Sequence, residues 1–164
     1  MGRQRVVVVG NGMVGQKFLE AVVEGDVAVT VLGEEPRAAY DRVHLSEYFT
    51  GRSAEDLSMA APDFFLRHDI DLKLGVRALA IDRALKTVTA SNGEVLPYDV
   101  LVLATGSYPF VPPVPGNDRP HVHVYRTLED LDGIRFSASH ARTGTVIGGG
   151  LLGLEAANGL MKRG

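Results

Sequence analysis

The chain has 164 residues, enough for one domain or for one domain and part of another. It is 45% hydrophobic and 23% charged, as is usual for globular proteins. The net charge of −3 gives no reason to expect nucleic acid or an anionic membrane as a partner. No apolar run approaches the roughly 20 residues of a membrane-spanning helix, and a strand begins soon after Met1, which argues against a signal peptide. We therefore expect a cytoplasmic protein.

The absence of cysteine limits the chemistry of the chain. It excludes disulfides, iron–sulfur ligation and thiol catalysis from these 164 residues. An enzyme that reduces disulfides through its own cysteine pair carries that pair after its first helix. That branch of redox chemistry is therefore excluded as well.

The first glycine motif lies between a predicted strand and a predicted helix. The apolar run 6–9 predicts the strand, and an apolar stripe over residues 13–24 predicts the helix. Between them, Gly10, Gly12 and Gly15 have the spacing of a dinucleotide-binding turn. The first glycine permits the tight turn, the second lets the backbone approach a diphosphate, and the third allows close packing of helix on strand. The candidate cofactor-binding residues of this turn are Gly10, Asn11, Gly12, Met13, Val14 and Gly15.

An acidic residue is expected about 20 positions after such a turn, where it accepts the hydroxyls of the adenosine ribose. The main-chain N–H groups from Asn11 to Val14 would face the diphosphate, with the helix dipole assisting. Residues 27–32 predict the second strand, and Glu34 and Glu35 follow it directly. A shift of one residue in the strand end exchanges their roles, so both stay candidates.

The elements that follow are shorter. Residues 41–49 and 62–67 predict short helices, and residues 70–74 predict a third strand. The apolar residues then alternate with polar ones, and Asn92-Gly93 is a strong hairpin signal. This alternation predicts strands over residues 76–82, 86–90 and 95–104.

Five prolines between residues 109 and 120 predict a stiff connector between two domains. Thr127 is placed to cap a helix, and the apolar residues 145–147 then predict a strand. A second glycine turn of the same spacing follows that strand, at Gly148, Gly150 and Gly153. The domain boundaries predicted from this pattern are 1–110, 111–125 for the proline-rich connector, and 126–164.

Three segments carry a resemblance to a known family: residues 9–15, 40–46 and 103–109. They resemble the FAD- and NAD(P)H-linked pyridine nucleotide reductase family. More narrowly, they are similar to the N-terminal part of the large subunits of NADH-dependent nitrite reductases. Residues 124–127 and 148–157 continue the resemblance, which covers essentially the whole chain.

The resemblance implies an α/β fold. A Rossmann-like FAD-binding domain, with a parallel sheet, helices and an antiparallel β-meander, would be followed by the truncated start of a second Rossmann-like, NAD(P)-binding domain. It also implies an FAD-dependent oxidoreductase fragment of nitrate assimilation whose flavin accepts hydride from NAD(P)H. The NAD(P)H site would be incomplete, so the fragment would be inactive or only partly active, and iron–sulfur and sirohaem centres would lie in missing C-terminal domains.

The resemblance assigns further residues to the cofactors. Arg42 would contact the diphosphate region of the flavin nucleotide, and Leu45 and Ser46 would lie near the isoalloxazine. The second FAD motif would be Ala104, Thr105 and Gly106. The NAD(P)H turn and the glutamate on its helix would be Gly148, Gly150, Gly153 and Glu155. The ribose-reading acid of that turn would fall near position 172, so the sequence does not distinguish NADH from NADPH.

One position departs from many relatives that reduce ferredoxins. Those relatives carry a lysine where this chain has Glu47, and the lysine can pair with the glutamate at the position of Glu155. Two carboxylates there would repel each other, which disfavours a ferredoxin- or rubredoxin-type reductase or else implies a different arrangement at the flavin edge. That reductase type stays an alternative. A second alternative, from another functional class, is a truncated nucleotide-binding module without catalytic turnover.

No residue set predicts a metal site or hydrolytic chemistry. His121 and His123 are two residues apart, so on a strand both side chains could bind one metal ion. However, no third ligand is nearby in the sequence. We expect no metal in this stretch and no nucleic-acid or membrane partner, and we identify no catalytic residue.

Overall fold

The computed structural model describes residues 2–162. Contacts divide the chain into two compact units: Met1–Tyr40 with Ser58–Gly106, and Asp41–Leu57 with Ser107–Gly164. The strands are β1 (Gln4–Val9), β2 (Val27–Gly33), β3 (Asp71–Leu74), β4 (Ala78–Asp82), β5 (Thr87–Ala90), β6 (Val95–Pro97) and β7 (Val100–Leu103). The helices are α1 (Met13–Val22), α2 (Leu45–Phe49), α3 (Phe64–Arg67), α4 (Leu128–Ala138) and α5 (Leu151–Met161).

The first unit is built on a four-stranded parallel sheet of order β3-β2-β1-β7. From β1 the chain moves outward to β2 and β3, and it returns on the other side of β1 as β7. The strand order therefore reverses at β1, and ligands of open α/β sheets bind outside the carboxyl ends of the strands at such a point. The predicted α/β class, with a parallel sheet and an antiparallel one, is confirmed.

Strand β1 ends in a continuous run of four valines because both faces of the strand are buried there. Val6 and Val8 pack with Leu19 of α1 on one face of the sheet. Val7 and Val9 pack on the other face with Val88, which belongs to the antiparallel sheet β4-β5-β6. Successive side chains of a strand point to opposite faces, so this run supplies two cores and fixes the register of β1.

The predicted strand 95–104 is two strands. Residues 95–97 pair antiparallel with β5, and residues 100–103 pair parallel with β1. The division falls at Asp99, whose backbone N–H donates to the Arg5 carbonyl. Alternation alone predicted one strand, because both halves have the same period of two.

The predicted helix 41–49 is shorter than expected, since α2 begins at Leu45. The Asp41 carboxylate accepts a hydrogen bond from the Val43 backbone N–H and lies 2.7 Å from Nδ1 of His44. An aspartate that bonds its own backbone in this way offers the chain an alternative to helix. Similarly, Ser53 and Asp56 form reciprocal bonds of the capping-box type, but turn residues follow them instead of a helix.

The second unit contains α2, α4 and α5, and α2 packs on both of the longer helices. The predicted cap of α4 is confirmed: Thr127 accepts from the Asp130 N–H, and Asp130 accepts from the Thr127 N–H. The predicted strand 145–147 is wrong as a strand, because within residues 2–162 it has no neighbouring strand to pair with. No helix among the described residues is long and apolar enough to cross a membrane.

Candidate functional site

The first glycine turn lies at the carboxyl ends of β1, β2 and β7. The Gly10 N–H donates to the Leu32 carbonyl, and the Ala104 N–H donates to the Val9 carbonyl. These two bonds extend the sheet ladders by one residue beyond β1. They hold Gly10 and Ala104 side by side at the switch point of the sheet.

Close contacts explain the first and third glycines. Gly10 has φ +111°, and a Cβ there would overlap the Ala104 carbonyl oxygen. A Cβ at Gly15 would overlap the Gly10 carbonyl oxygen. Both positions therefore require glycine for the turn to close against α1 and Ala104.

Gly12 differs, because a Cβ built on it would meet nothing within 4 Å. It caps α1, and its carbonyl accepts the first helical hydrogen bond from the Gln16 N–H at 2.8 Å. The space in front of Gly12 is thus open beside the first turn of α1. The N–H groups of a first helical turn have no intrahelical partner, so this geometry suits an anion.

Each of the two candidate acids at the end of β2 has a partner side chain. The Glu34 carboxylate is exposed and pairs with Arg77 at 3.2 Å. The Glu35 carboxylate accepts a hydrogen bond of 2.7 Å from the Tyr40 hydroxyl. The sequence analysis gave Arg77 and Tyr40 no role, although Tyr40 lies in a segment quoted for the resemblance. The pairing with Arg77 joins the β2 end to a residue 43 positions away by number, and no local pattern indicates it.

The first unit brings eleven predicted site residues to this edge of the sheet. They are Gly10, Asn11, Gly12, Met13, Val14, Gly15, Glu34, Glu35, Ala104, Thr105 and Gly106. The other seven lie in the second unit: Arg42, Leu45, Ser46, Gly148, Gly150, Gly153 and Glu155.

In the second unit the segment before α2 is tied to the residues before α4. The Arg42 guanidinium donates to the Arg126 carbonyl at 3.0 Å. Leu45 is 2% exposed, so its side chain is buried. The Glu47 carboxylate pairs with Arg52 at 2.5 Å. Its charge is therefore balanced within its own segment.

Tyr125 and Glu155 lie close together in the second unit. Burial raises the pKa of Tyr125 to about 12, and the negative charge of Glu155 adds to this effect. The Tyr125 ring also stacks on Phe49, with centroids 6.0 Å apart. The Tyr125 phenol is thus neutral at pH 7, although Tyr125 was not among the predicted site residues.

The second glycine turn repeats part of the first. Gly148 has φ +118°, and a Cβ at Gly153 would overlap the Gly148 carbonyl oxygen. Gly150 caps α5, as Gly12 caps α1. However, a Cβ at Gly148 would meet nothing within 4 Å, so no counterpart of Ala104 crosses behind this turn in the described part of the chain.

Residues 2–162 contain no group of three or more His, Cys, Asp or Glu side chains arranged to hold a metal ion. His123 instead makes a 2.8 Å hydrogen bond through Nε2 with the Ser137 hydroxyl.

Comparison with known proteins places this geometry in a family. Residues 4–164 match the family described as pyridine nucleotide-disulphide oxidoreductase. The chain is 54% identical to the nitrite reductase [NAD(P)H] large subunit of Klebsiella oxytoca, over 100% of this chain and 18% of that protein. It is 47% identical to the nitrite reductase (NADH) large subunit of Escherichia coli, over 100% of this chain and 20% of that protein. The chain therefore spans about a fifth of the length of these relatives.

A solved structure shows the same fold. The ferredoxin reductase for the CYP199A2 system from Rhodopseudomonas palustris superposes with a TM-score of 0.91 at 27% identity. The match covers 99% of this chain and 41% of that one. The resemblance to the N-terminal part of nitrite reductase large subunits is thus confirmed, and the chain belongs to the pyridine nucleotide-disulphide oxidoreductase family.

Proposed function

We propose that this chain is the FAD-binding part of an NAD(P)H-dependent flavin oxidoreductase of the nitrite reductase type. The observation that carries the proposal is the glycine turn after β1. Backbone atoms occupy the space that a side chain at Gly10 or Gly15 would need. The space beside Gly12, in contrast, is open at the N-terminus of a ten-residue helix. A turn of this shape fits a diphosphate, which a side chain at Gly12 would displace.

The residues of the first unit would hold the ADP half of FAD. The main-chain N–H groups from Asn11 to Val14 would bind the diphosphate, with the positive end of the α1 dipole adding to the attraction. Glu34 or Glu35 would accept the ribose hydroxyls. Residues 104–106 would line the site where β7 ends beside Gly10.

The resemblance also assigns residues of the second unit to the cofactors. Arg42, which the Arg126 carbonyl orients, would contact the diphosphate region, and Leu45 and Ser46 would lie near the isoalloxazine. The second turn, at Gly148, Gly150 and Gly153, would receive NAD(P)H, with Glu155 on the following helix. The boundaries 1–110, 111–125 and 126–164 stay our proposal for the domains of this chain.

Bound FAD would supply the chemistry, by accepting hydride from the nicotinamide and releasing single electrons. The protein would contribute positioning and electrostatics. We place the iron–sulfur and sirohaem centres in other parts of the whole protein, and its role in nitrate assimilation in the cytoplasm. A relative of 38% identity is the assimilatory nitrate reductase electron transfer subunit of Bacillus subtilis, which supports this role.

The visible spectrum of the purified protein, reconstituted with FAD, tests the proposal. We expect a flavin band that bleaches only at a high concentration of NADH or NADPH under anaerobic conditions, because the NAD(P)H site would be incomplete in this chain. A flavin band that neither nucleotide bleaches would favour a nucleotide-binding module without turnover. A protein that stays colourless after incubation with FAD would overturn the proposal.

A further inference from the structure

The Asn11 side chain is buried without using its hydrogen-bonding groups. Both its amide nitrogen Nδ2 and its carbonyl oxygen Oδ1 are buried and have no hydrogen-bond partner. Within residues 2–162 it is the one buried side-chain amide that lacks partners on both atoms. Leaving a buried donor and a buried acceptor unpaired costs free energy, so a ligand that pairs with both is a physical reason for an asparagine here.

The position of this amide relates it to one part of the proposed ligand. A Cβ built on Gly33 would lie 3.1 Å from the Asn11 Cβ and 3.7 Å from Nδ2. Asn11 therefore lies across the last residue of β2, next to the acids that would bind the adenosine ribose. The diphosphate, in contrast, would lie beside Gly12 at the start of α1.

The chemistry of the amide also favours a hydroxyl. A phosphate oxygen can only accept a hydrogen bond, so it would pair with Nδ2 and leave Oδ1 unpaired. A ribose hydroxyl both donates and accepts, so the ribose hydroxyls can pair with both atoms of the amide. The ribose hydroxyls can pair with both amide atoms even if the positions of Oδ1 and Nδ2 are exchanged.

We propose that the Asn11 side chain hydrogen-bonds the adenosine ribose of the bound dinucleotide and is a specificity residue for its hydroxyls. The inference rests on the proposed function, since it concerns the same site. It adds a side-chain contact on the sugar to the main-chain contacts on the diphosphate. Asn11 would act beside Glu34 or Glu35, which approach the ribose from the end of β2.

The experiment measures the binding of ADP, 2′-deoxy-ADP and 3′-deoxy-ADP to the purified protein by calorimetry. For the unaltered protein we expect ADP to bind more tightly than at least one deoxy analogue. In Asn11→Ala we expect ADP affinity to fall about tenfold and the discrimination against that analogue to shrink. The inference would be overturned if Asn11→Ala left the ratio of the ADP affinity to the deoxy-analogue affinity unchanged. It would also be overturned if Asn11→Ala lowered the affinity for all three nucleotides by the same factor.

A second measurement separates ligand binding from a structural role. Because the amide has no partner in the chain, Asn11→Ala should not lower the melting temperature of the nucleotide-free protein. A clear decrease without nucleotide would mean that the amide stabilises the fold itself, and would also overturn the inference. Gln16→Leu is the matched control, since Gln16 is fully buried in α1 with an unpaired Oε1. It should leave the discrimination among the three nucleotides intact.

The outcomes distinguish this inference from the proposed function. If the unaltered protein binds neither FAD nor ADP, both are wrong. If it binds FAD and ADP, and Asn11→Ala binds all three nucleotides as the unaltered protein does, only the role of Asn11 is wrong.

Discussion

Arg5 and Asp99, which are 94 residues apart in the sequence, bind each other through both backbone and side chain. The Asp99 carboxylate accepts hydrogen bonds from the Arg5 backbone N–H and guanidinium, and the Asp99 N–H donates to the Arg5 carbonyl. Asp99 lies between the end of β6 and the start of β7, and Arg5 lies in β1. It sets the register in which Val100 pairs with Val6, and so it places Ala104 beside Gly10.

The first prediction concerns pH. The hydrogen bonds from Arg5 lower the pKa of Asp99 to about 2, from an ordinary 3.8. A depressed carboxyl pKa contributes stability above the ordinary value, and that contribution is lost as the pH falls from about 4 to about 2. Asp99→Asn should therefore be less stable than the unaltered protein at pH 7, by a difference that shrinks over this interval.

Urea unfolding followed by circular dichroism from pH 2 to pH 7 measures this difference. Asp118→Asn, in an exposed turn, is the control for the removal of a surface carboxylate. A constant difference between Asp99→Asn and the unaltered protein across the interval would contradict the predicted pairing.

The second prediction separates binding from folding at Gly12. Gly12→Ala should preserve the melting temperature, because the new Cβ enters open space on an ordinary backbone conformation. FAD affinity should fall about tenfold or more, since the methyl group occupies the proposed diphosphate position. Fluorescence titration with FAD measures the affinity, and Gly2→Ala, also in open space, should leave it unchanged. Unchanged FAD affinity in Gly12→Ala would remove the main support for the proposed site.

The third prediction is that an alanine at Gly10, unlike one at Gly12, destabilises the folded protein. Gly10→Ala should lower the free energy of unfolding by about 2–4 kcal/mol, because it combines a left-handed backbone with an overlap on the Ala104 carbonyl. Chemical denaturation without nucleotide measures the loss. If Gly10→Ala were as stable as Gly12→Ala, the contact between the turn and Ala104 would be disproved.

The fourth prediction concerns α5 and α2 in the second unit. A Cβ at Gly159 would lie 2.6 Å from Cδ2 of Phe49, whose side chain is buried. Gly159→Ala should therefore destabilise the protein by about 1–2 kcal/mol, because overpacking outweighs the gain of about 1 kcal/mol in helix propensity. Urea unfolding of the single variants and the double variant tests this coupling.

In a protein that already carries Phe49→Ala, Gly159→Ala should increase stability instead of decreasing it. Phe49→Ala alone should cost about 3–5 kcal/mol, because it removes a buried ring. The space that it leaves accepts the new methyl group, so Gly159→Ala should then stabilise the protein by up to about 1 kcal/mol. Additive effects of the two substitutions would show that Phe49 and Gly159 are not in contact.

The parts of the fold that follow from local sequence could be predicted. The valine run of β1, the apolar stripe of α1 and the glycine spacing between them each have a short-range cause, and so does the Thr127 cap. The glycine turn therefore lies where it was predicted. Backbone atoms leave no room for a side chain at Gly10 and Gly15, and the space beside Gly12 is open.

The parts that depend on distant partners could not be predicted. The division of residues 95–104 depends on the contact of Asp99 with Arg5. The grouping of residues 41–57 with the C-terminal segment depends on the packing of α2 against α4 and α5. The unpaired amide of Asn11 is likewise visible only in three dimensions, because the sequence shows an ordinary variable position of the motif.

The second glycine turn has a consequence for how such sites originate. Gly148 and Gly153 adopt the same mutual arrangement as Gly10 and Gly15, although the residues before Gly148 pair with no strand in the described part of the chain. The contact of the third glycine with the carbonyl of the first is thus the same with and without a paired strand before the turn. The shape of such a turn can therefore arise from its own glycines.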